Sequence, residues 1–198
     1  EHARHGPAAF ETHAELPAVT LTGPGADARA TVVMGALAGV RSPATVHTPL
    51  VGAQIDLPAG ASATVPLEAA WEHGVLHVDG DVEVLDEADA RIGTIADGAI
   101  LYVGSDRRSV TLHSARGARV LLLGGEPFPD ALVMWWNFVG RSHDEVAAAR
   151  EEWQAQGDRF ATVPESHGVR IPAPPLPAVR LTPRRRRIGA LEQQTEPS

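Results

Sequence analysis

The sequence predicts an all-β fold, an antiparallel double-sheet barrel with one C-terminal helix. Between Ala18 and Leu123, short runs of β-branched and aliphatic residues recur at similar spacing, with turn-forming residues such as Asp79-Gly80 between them. No helical periodicity interrupts this range, and a single helix signal follows it. Regular short strands without helices between them are typical of antiparallel sandwiches and barrels.

The strand signals follow one another at short intervals. Asp79-Gly80 predicts a two-residue hairpin turn between two of the strands. The last run, 120–123, is continuously apolar, which indicates a strand buried on both faces, and Gly124-Gly125 is predicted to stop it. The predicted strands cover residues 31–34, 51–57, 63–67, 74–78, 81–85, 99–103, 109–113 and 118–123.

A capping box marks the start of the predicted helix. Ser142 is followed three residues later by Glu145, so the serine oxygen can accept from the backbone N–H of Glu145 while the glutamate reaches back to the serine N–H. Apolar residues then recur on one stripe, and Gly157 is a plausible C-terminal stop. These signals predict a helix over residues 143–156.

Large aromatic residues are concentrated before and within this helix. Trp135, Trp136, Phe138 and Trp153 are the candidate interface residues. In an extended strand Trp135 and Trp136 face opposite ways, so both cannot enter one core. In one alternative, one tryptophan fills the core of the domain and the other lies under the helix beside Trp153. In the other, one of them docks against another domain or subunit, as large aromatic anchors do.

Composition bounds the function classes. The 198-residue chain is long enough to bury an independent core, and its net charge of −8 argues against general nucleic-acid binding. The absence of cysteine excludes disulfides, thiolate zinc sites and cysteine nucleophiles. The sequence contains no run long enough to span a membrane and no secretory leader, so we expect a cytoplasmic protein without a membrane partner.

Composition also divides the chain. Residues 1–17 are predicted to be a polar linker, in which His2, His5 and His13 are interpreted as incidental rather than as metal ligands. Residues 18–160 are predicted to form the domain. Residues 161–198 are predicted to be an extended tail rich in proline and arginine. Its 171–177 segment is expected to be polyproline II lying on a surface, and its four arginines, Arg184 to Arg187, are expected to be solvated.

Several motifs carry a family resemblance. The segments Gly124-Gly-Glu-Pro127, Val133-Met-Trp-Trp-Asn-Phe138 and Arg141-Ser-His-Asp-Glu145 resemble the C-terminal end of a pirin, a two-domain protein of the cupin superfamily. The likeness extends back through Gly39-Val-Arg-Ser-Pro43, and Phe10-Glu-Thr-His-Ala-Glu-Leu-Pro17 resembles the segment that joins the two pirin domains. The resemblance implies that this chain is the second pirin domain with its linker and lacks the first.

The same resemblance implies where a cupin metal site would lie. Region 39–60 holds one imidazole, His47, with Gln54 near the carboxylate position, and Leu101 stands where a second region would supply histidine. These are too few ligands for a divalent transition metal, since such sites use three or four protein ligands. The resemblance therefore implies a metal-free domain without catalytic residues, in which His47, Gln54 and Leu101 form a degenerate cavity and candidate ligand pocket. Iron or another divalent metal is expected only in the first pirin domain.

The other histidines are assigned structural or surface positions. His73 and His77 are four residues apart on a predicted strand, which separates their side chains by about 13 Å and prevents them from sharing one ion. His113 alternates with apolar residues and is expected to face outward or to lie at a sheet edge. His143, in the first turn of the predicted helix, is expected on the surface.

Two functions from different classes are compatible with these residues. In the first, the chain is the C-terminal cupin domain of a pirin-like protein and has a structural or interaction role. It supports a metal-binding N-terminal cupin domain, and the resemblance implies quercetin 2,3-dioxygenase activity for the whole protein. In the second, the chain acts alone as a small-molecule-binding cupin barrel, as a monomer or a dimer. The predicted partner is accordingly the pirin N-terminal cupin domain or a second copy of the chain.

Overall fold

The computed structural model describes residues 9–160 and 170–183. Contacts divide the chain into two compact units. The barrel unit comprises Glu11–Pro127. The helical unit comprises the described residues of Phe128–Ser198 together with those of Glu1–Phe10.

Antiparallel strands form two sheets in the barrel unit, as the sequence predicts. The strands are β1 (Ala18–Leu21), β2 (Ala28–Leu37), β3 (Val40–Arg41), β4 (Leu50–Leu57), β5 (Ala61–Pro66), β6 (Glu72–Gly80), β7 (Glu83–Leu85), β8 (Arg91–Thr94), β9 (Ile100–Gly104), β10 (Ser109–Ser114) and β11 (Ala118–Gly125). The larger sheet has the order β1-β2-β4-β11-β6-β9, with β3 paired to β2, and the smaller has the order β5-β10-β7-β8.

Side chains from both sheets meet in one apolar core. Alternate residues of each strand point to the same face of a sheet, so every second position of β4 is buried. Burial of these aliphatic side chains is the main source of stability for the barrel unit. The largest fully buried residues are Val32, Ile55, Val75, Val120 and Leu122 from the larger sheet and Val65, Val84, Val110 and Leu112 from the smaller.

The hairpin predicted at Asp79-Gly80 is wrong, because the strands on its two sides lie in different sheets. β6 ends at Gly80 in the larger sheet, and β7 begins at Glu83 in the smaller. Gly80 has a φ of 79° and pairs with Ala118, where an added Cβ would overlap the carbonyl oxygen of Gly117. The glycine therefore permits a close approach of two backbones rather than a two-residue turn.

A two-residue turn that the sequence analysis missed joins β2 to β3. Ala38 has a φ of 49° and Gly39 a φ of 80°, and Leu37 pairs with Val40 across the turn. Positive φ at both central positions is the pattern of tight hairpin turns. Alanine rarely adopts this conformation, so the sequence carried only half of the usual turn signal.

The helix α1 (His143–Gln154) begins where the capping box predicts. Ser142 Oγ accepts from the backbone N–H of Glu145 at 3.2 Å, and the Glu145 carboxylate accepts from the backbone N–H of Arg141 at 2.9 Å. The helix ends two residues earlier than predicted. Gln156 takes the left-handed conformation with a φ of 57°, and Gly157 N–H donates to the carbonyl of Glu152, which closes a Schellman motif.

The aromatic residues cluster in the helical unit because the tryptophan segment is a hairpin and not one extended strand. Strands β12 (Val133–Trp135) and β13 (Phe138–Gly140) are joined by a turn at Trp136, whose φ is 50°. The Trp136 ring centroid lies 5.3 Å from that of Phe138 and 6.0 Å from that of Trp153. One tryptophan, Trp136, lies beside Trp153 as one alternative predicted, but the turn lets Trp135 pack against the same cluster, so the expectation that the two rings enter different places is corrected.

Residues 170–183, here called the C-terminal strap, run along α1 without helix or strand. Side chains of the helix bind the strap backbone. Trp153 Nε1–H donates to the carbonyl of Ile171 at 3.0 Å, and His143 Nδ1 accepts from the backbone N–H of Leu181 at 3.1 Å. His143 was expected to be a simple surface residue. It instead anchors the strap through this hydrogen bond. The arginines Arg184 to Arg187 lie outside the described residues.

Within residues 9–160 and 170–183, no helix combines the length and the apolar character needed to cross a bilayer. The predicted cytoplasmic localisation and the predicted division into 1–17, 18–160 and 161–198 stay predictions.

Candidate functional site at the barrel mouth

The structure does not bring the three residues of the predicted cavity together. His47 lies in the exposed loop between β3 and β4. Gln54 falls between the buried Ala53 and Ile55, so alternation turns it to the outer face, where its Nε2 donates to Asp56 at 2.9 Å. Leu101 packs against the core of the barrel unit. These positions were taken from the family resemblance, which carries no information about the face of the fold that each residue occupies.

A cavity opens instead at one end of the barrel unit, here called the barrel mouth. It lies between the turn at 36–39, the first residues of β4, and the loop 67–71 that leads into β6. Two adjoining hollows of about 290 and 160 Å³ share this turn and loop. Their lining is mostly apolar, and its ionisable side chains are Arg41, Glu68 and His73. Apolar concavities with a few polar groups are the usual form of small-molecule sites.

His73 is the polar group that faces the interior at this end of the barrel. It lies on the same face of β6 as the core residue Val75, and its side chain lines the smaller hollow. Only 2% of the residue is exposed, and its Nδ1 has no hydrogen-bond partner. Its ring stacks on Trp71 with 6.3 Å between centroids. Buried imidazole nitrogens are usually paired, so this nitrogen marks an unmet hydrogen-bonding capacity.

Gly124 makes room for this ring. It pairs with His73 across β11 and β6, and an added Cβ would overlap the imidazole Cδ2. The prediction that Gly124-Gly125 stops the strand is wrong in position, because β11 continues through Gly125. The two glycines continue the ladder while they leave space that a side chain would fill.

Burial lowers the pKa of the His73 imidazole below its ordinary value of 6.5, against the opposing effects of the backbone carbonyls of Trp71 and Gly104 and the carboxylate of Glu68. Burial disfavours the charged ring because the interior solvates an ion poorly. The imidazole is therefore neutral at pH 7, with one nitrogen as donor and the other as acceptor.

Lowering the pH from about 7 to 5 is expected to destabilise the barrel unit through His73. Because its pKa is lower in the folded chain, the unfolded chain binds more protons below pH 6.5, and the free energy of unfolding falls until the folded pKa is reached. Each unit of pKa difference contributes about 1.4 kcal/mol. Urea unfolding at a series of pH values measures the slope.

The His73→Phe variant should flatten this slope, and His113→Phe, which replaces a partly buried histidine of β10, serves as the matched control. Carboxyl groups with a lowered pKa, such as Asp56 and Asp81, act in a separate window near pH 4 and below. An unchanged slope in His73→Phe between pH 7 and 5 would contradict the assignment.

His77, the other inward histidine of β6, has a structural role. Its Nε2–H donates to the carbonyl of Gly80 at 2.6 Å, and its Nδ1 accepts from the backbone N–H of Gly98 at 3.3 Å. The Asp97 carboxylate lies 3.6 Å from Nε2. With both nitrogens paired, His77 joins the end of β6 to the loop before β9 and leaves no nitrogen for a ligand.

The described residues do not fit a resident transition metal. Within the described ranges, no three His, Asp or Glu side chains lie close enough to hold one ion. The barrel mouth offers one imidazole, of His73, and one carboxylate, of Glu68, whereas protein sites for such metals use three or four ligands. His77 cannot add to this set, because Val75 and the length of the strand separate it from His73.

His73 was not among the predicted site residues, and the reason is physical. His73 was predicted to lie on a strand and to share no metal with His77, and on that ground it was assigned a structural position. A signal was present in Trp71 and His73, an aromatic residue and a histidine two residues apart at the start of a strand, with a glycine pair in a later strand. Only the register of β6 with β11 shows that Gly124 is the partner of His73.

Comparison with known proteins agrees with this fold. A family model described as the pirin C-terminal cupin domain matches residues 52–161. A Pseudomonas aeruginosa protein, whose name assigns it provisionally to the quercetin 2,3-dioxygenases, is 36% identical over 85% of this chain and 50% of its own length. A Caulobacter vibrioides protein named as pirin-like is 31% identical over 82% of this chain and 53% of its own length.

A solved structure agrees with these matches. The crystal structure of a quercetin 2,3-dioxygenase from Acinetobacter baumannii superposes with a TM-score of 0.66 and 32% identity, and it covers 87% of this chain and 55% of that protein. The chain therefore spans about half the length of the curated relatives that it matches.

Proposed function

The chain belongs to the pirin family of the cupin superfamily, and from this premise we propose that it acts as a metal-free C-terminal cupin domain. In this role it is structural and supports an N-terminal cupin domain that binds iron or another divalent metal. The whole protein would then carry activity of the quercetin 2,3-dioxygenase type, for which several relatives are named.

The observation that carries the proposal is the chemistry of the barrel interior. Inward positions of both sheets are occupied by aliphatic residues, such as Ile55, Val120 and Leu112, all of them fully buried. Two histidines and Ser114 interrupt this lining. Both ring nitrogens of His77 are hydrogen-bonded, and Ser114 Oγ accepts from the backbone N–H of Gly117. An aliphatic interior stabilises a fold by burial and offers a metal no ligands.

The proposed partner is the pirin N-terminal cupin domain or a second copy of the chain. The length of the relatives supports this proposal, since they are about twice as long as the matched segment. The helical unit also presents apolar surface on its hairpin, where the cross-strand pair Met134 and Val139 is 72% and 55% exposed. Exposed apolar pairs beside aromatic clusters are common at protein contacts.

Metal analysis tests the proposal. The purified chain is incubated with iron, nickel, copper or zinc, dialysed and analysed for metal, and quercetin turnover is measured on the same samples. We expect far less than one metal per chain and no turnover, because three or more ligands are required for tight binding. The Acinetobacter baumannii quercetin 2,3-dioxygenase, measured in parallel, serves as the control for both assays.

Stoichiometric metal that survives dialysis would overturn the metal-free assignment. The His73→Phe variant then locates the site, since loss of the metal in this variant places it at the barrel mouth. Turnover by the chain alone, with or without bound metal, would contradict the structural role.

A further inference from the structure

We propose that the barrel mouth binds a small, uncharged aromatic molecule that carries a hydroxyl group. This site is separate from the supporting role proposed above, which requires no ligand in this domain. Two independent observations point to it, a preformed cavity and a buried side chain that lines it with an unpartnered polar atom.

The shape and lining of the cavity select an aromatic ligand of limited size. Trp71 lines both hollows and packs against the barrel core, so its indole forms one fixed wall. Leu37 lines both hollows as well, and Val51 adds a buried aliphatic surface to the smaller. A rigid aromatic and aliphatic lining favours a flat ring, which stacks at little entropic cost. His73 lines the smaller hollow, about 160 Å³, and a cavity of this volume is large enough for a single ring.

The polar groups select a hydroxyl and disfavour net charge. The His73 imidazole is neutral and has unmet hydrogen-bonding capacity, and a buried group in that state costs free energy until a partner binds. A ligand hydroxyl can donate to an imidazole nitrogen or accept from it, so it suits either tautomer. Arg41 and Glu68 line the cavity with opposite charges, so they provide no net attraction for an anion or a cation.

Gly124 and the turn at 36–39 keep the cavity open. A side chain at position 124 would overlap the imidazole, and the turn between β2 and β3 places only small residues, Ala36, Ala38 and Gly39, around Leu37. Small residues at these positions leave the volume that the core otherwise fills, since protein interiors are close-packed. The barrel mouth is thus a preformed space and needs no rearrangement to admit a ring.

The experiment compares phenol with toluene, two rings of similar size that differ in one hydroxyl group. Binding to the wild-type chain and to His73→Phe is measured by titration calorimetry or ligand-observed NMR. We expect phenol to bind the wild-type chain about tenfold more tightly than toluene, the factor that one good hydrogen bond supplies. In His73→Phe the preference should disappear, because phenylalanine keeps the ring and removes both nitrogens.

Two further variants keep the test independent of folding defects. His113→Phe changes a histidine of β10 outside the cavity and should retain the wild-type preference for phenol. Ala36→Phe leaves His73 in place but fills the turn that lines both hollows, and it should weaken phenol binding at least about tenfold. The circular dichroism of each variant shows whether it has folded.

Three results would overturn the proposal. The first is failure of the wild-type chain to bind phenol at millimolar concentration. The second is equal affinity of the wild-type chain for phenol and toluene. The third is phenol binding that persists in a folded Ala36→Phe variant, since the ligand would then occupy another place. None of these results depends on metal content or on quercetin turnover, so failure here is distinguishable from failure of the proposed function.

Discussion

Replacing Phe138 with alanine is expected to lower the free energy of unfolding of the helical unit by about 3–5 kcal/mol, the loss typical of a large core aromatic. The residue is 6% exposed, and its ring centroid lies 5.3 Å from that of Trp136 and 5.9 Å from that of Phe160. Truncation removes the ring that these neighbours share and leaves a cavity that they cannot refill. Urea unfolding followed by tryptophan fluorescence measures the loss.

Phe128→Ala is the matched control for this prediction. Phe128 belongs to the same unit but is 49% exposed, so its truncation should cost less than about 1 kcal/mol. Unfolding midpoints that coincide in the two variants would show that the aromatic cluster is peripheral. The interface role of Trp135, Trp136, Phe138 and Trp153 stays a prediction.

The Gly35→Ala variant is expected to lose about 3 kcal/mol or more and to distort the barrel mouth. Gly35 has a φ of 69°, which a side chain disfavours, and an added Cβ would overlap the carbonyl oxygen of Leu50 in β4. The strain of the left-handed conformation and the displacement of a paired strand therefore act together. Urea unfolding gives the loss in stability, and the imidazole resonances of His73 report the distortion.

Gly39→Ala separates these two causes. Gly39 has a φ of 80°, close to that of Gly35, but no atom lies within 4 Å of a Cβ added there. Only the conformational strain remains, so a loss of about 1–2 kcal/mol is expected. If both variants lose similar free energy of unfolding, the overlap with Leu50 costs little. The backbone around the barrel mouth would then be able to shift to accept the added methyl group.

The elements that were predicted well are those with local signals. Short alternating strands predicted the two antiparallel sheets, and the Ser142 and Glu145 pair predicted the start of α1. The predicted cupin barrel and the pirin family are confirmed by the family match and by the solved structure from Acinetobacter baumannii. Each of these signals acts over a few residues, where side-chain period and capping chemistry are decisive.

The errors arose where the structure depends on pairing between distant segments. Asp79-Gly80 has the composition of a hairpin turn, yet the chain crosses to the other sheet there, and nothing local distinguishes the two outcomes. Trp136 adopts a positive φ that its residue type disfavours, so the hairpin between β12 and β13 had no sequence signal.

The candidate site was missed for a related reason. His73 meets Gly124 across two strands that are about fifty residues apart in sequence, and the 36–39 turn joins them from a third segment. Motif positions taken from the family resemblance gave His47, Gln54 and Leu101, which belong to a loop, an outer face and a core. The cavity forms only when the strands pair in the correct register, and no single segment of the sequence specifies that register.

The C-terminal strap determines how far the chain can be truncated from its C-terminal end without loss of packing in the helical unit. A protein shortened to residue 160, the predicted end of the domain, would leave the Trp153 indole N–H and the His143 Nδ1 without the strap atoms that they bind. It would also lose the buried Ala173, which packs within the aromatic cluster. The residues after the helix are therefore an integral layer of the helical unit, and a dissection that ends at the helix would remove part of its core.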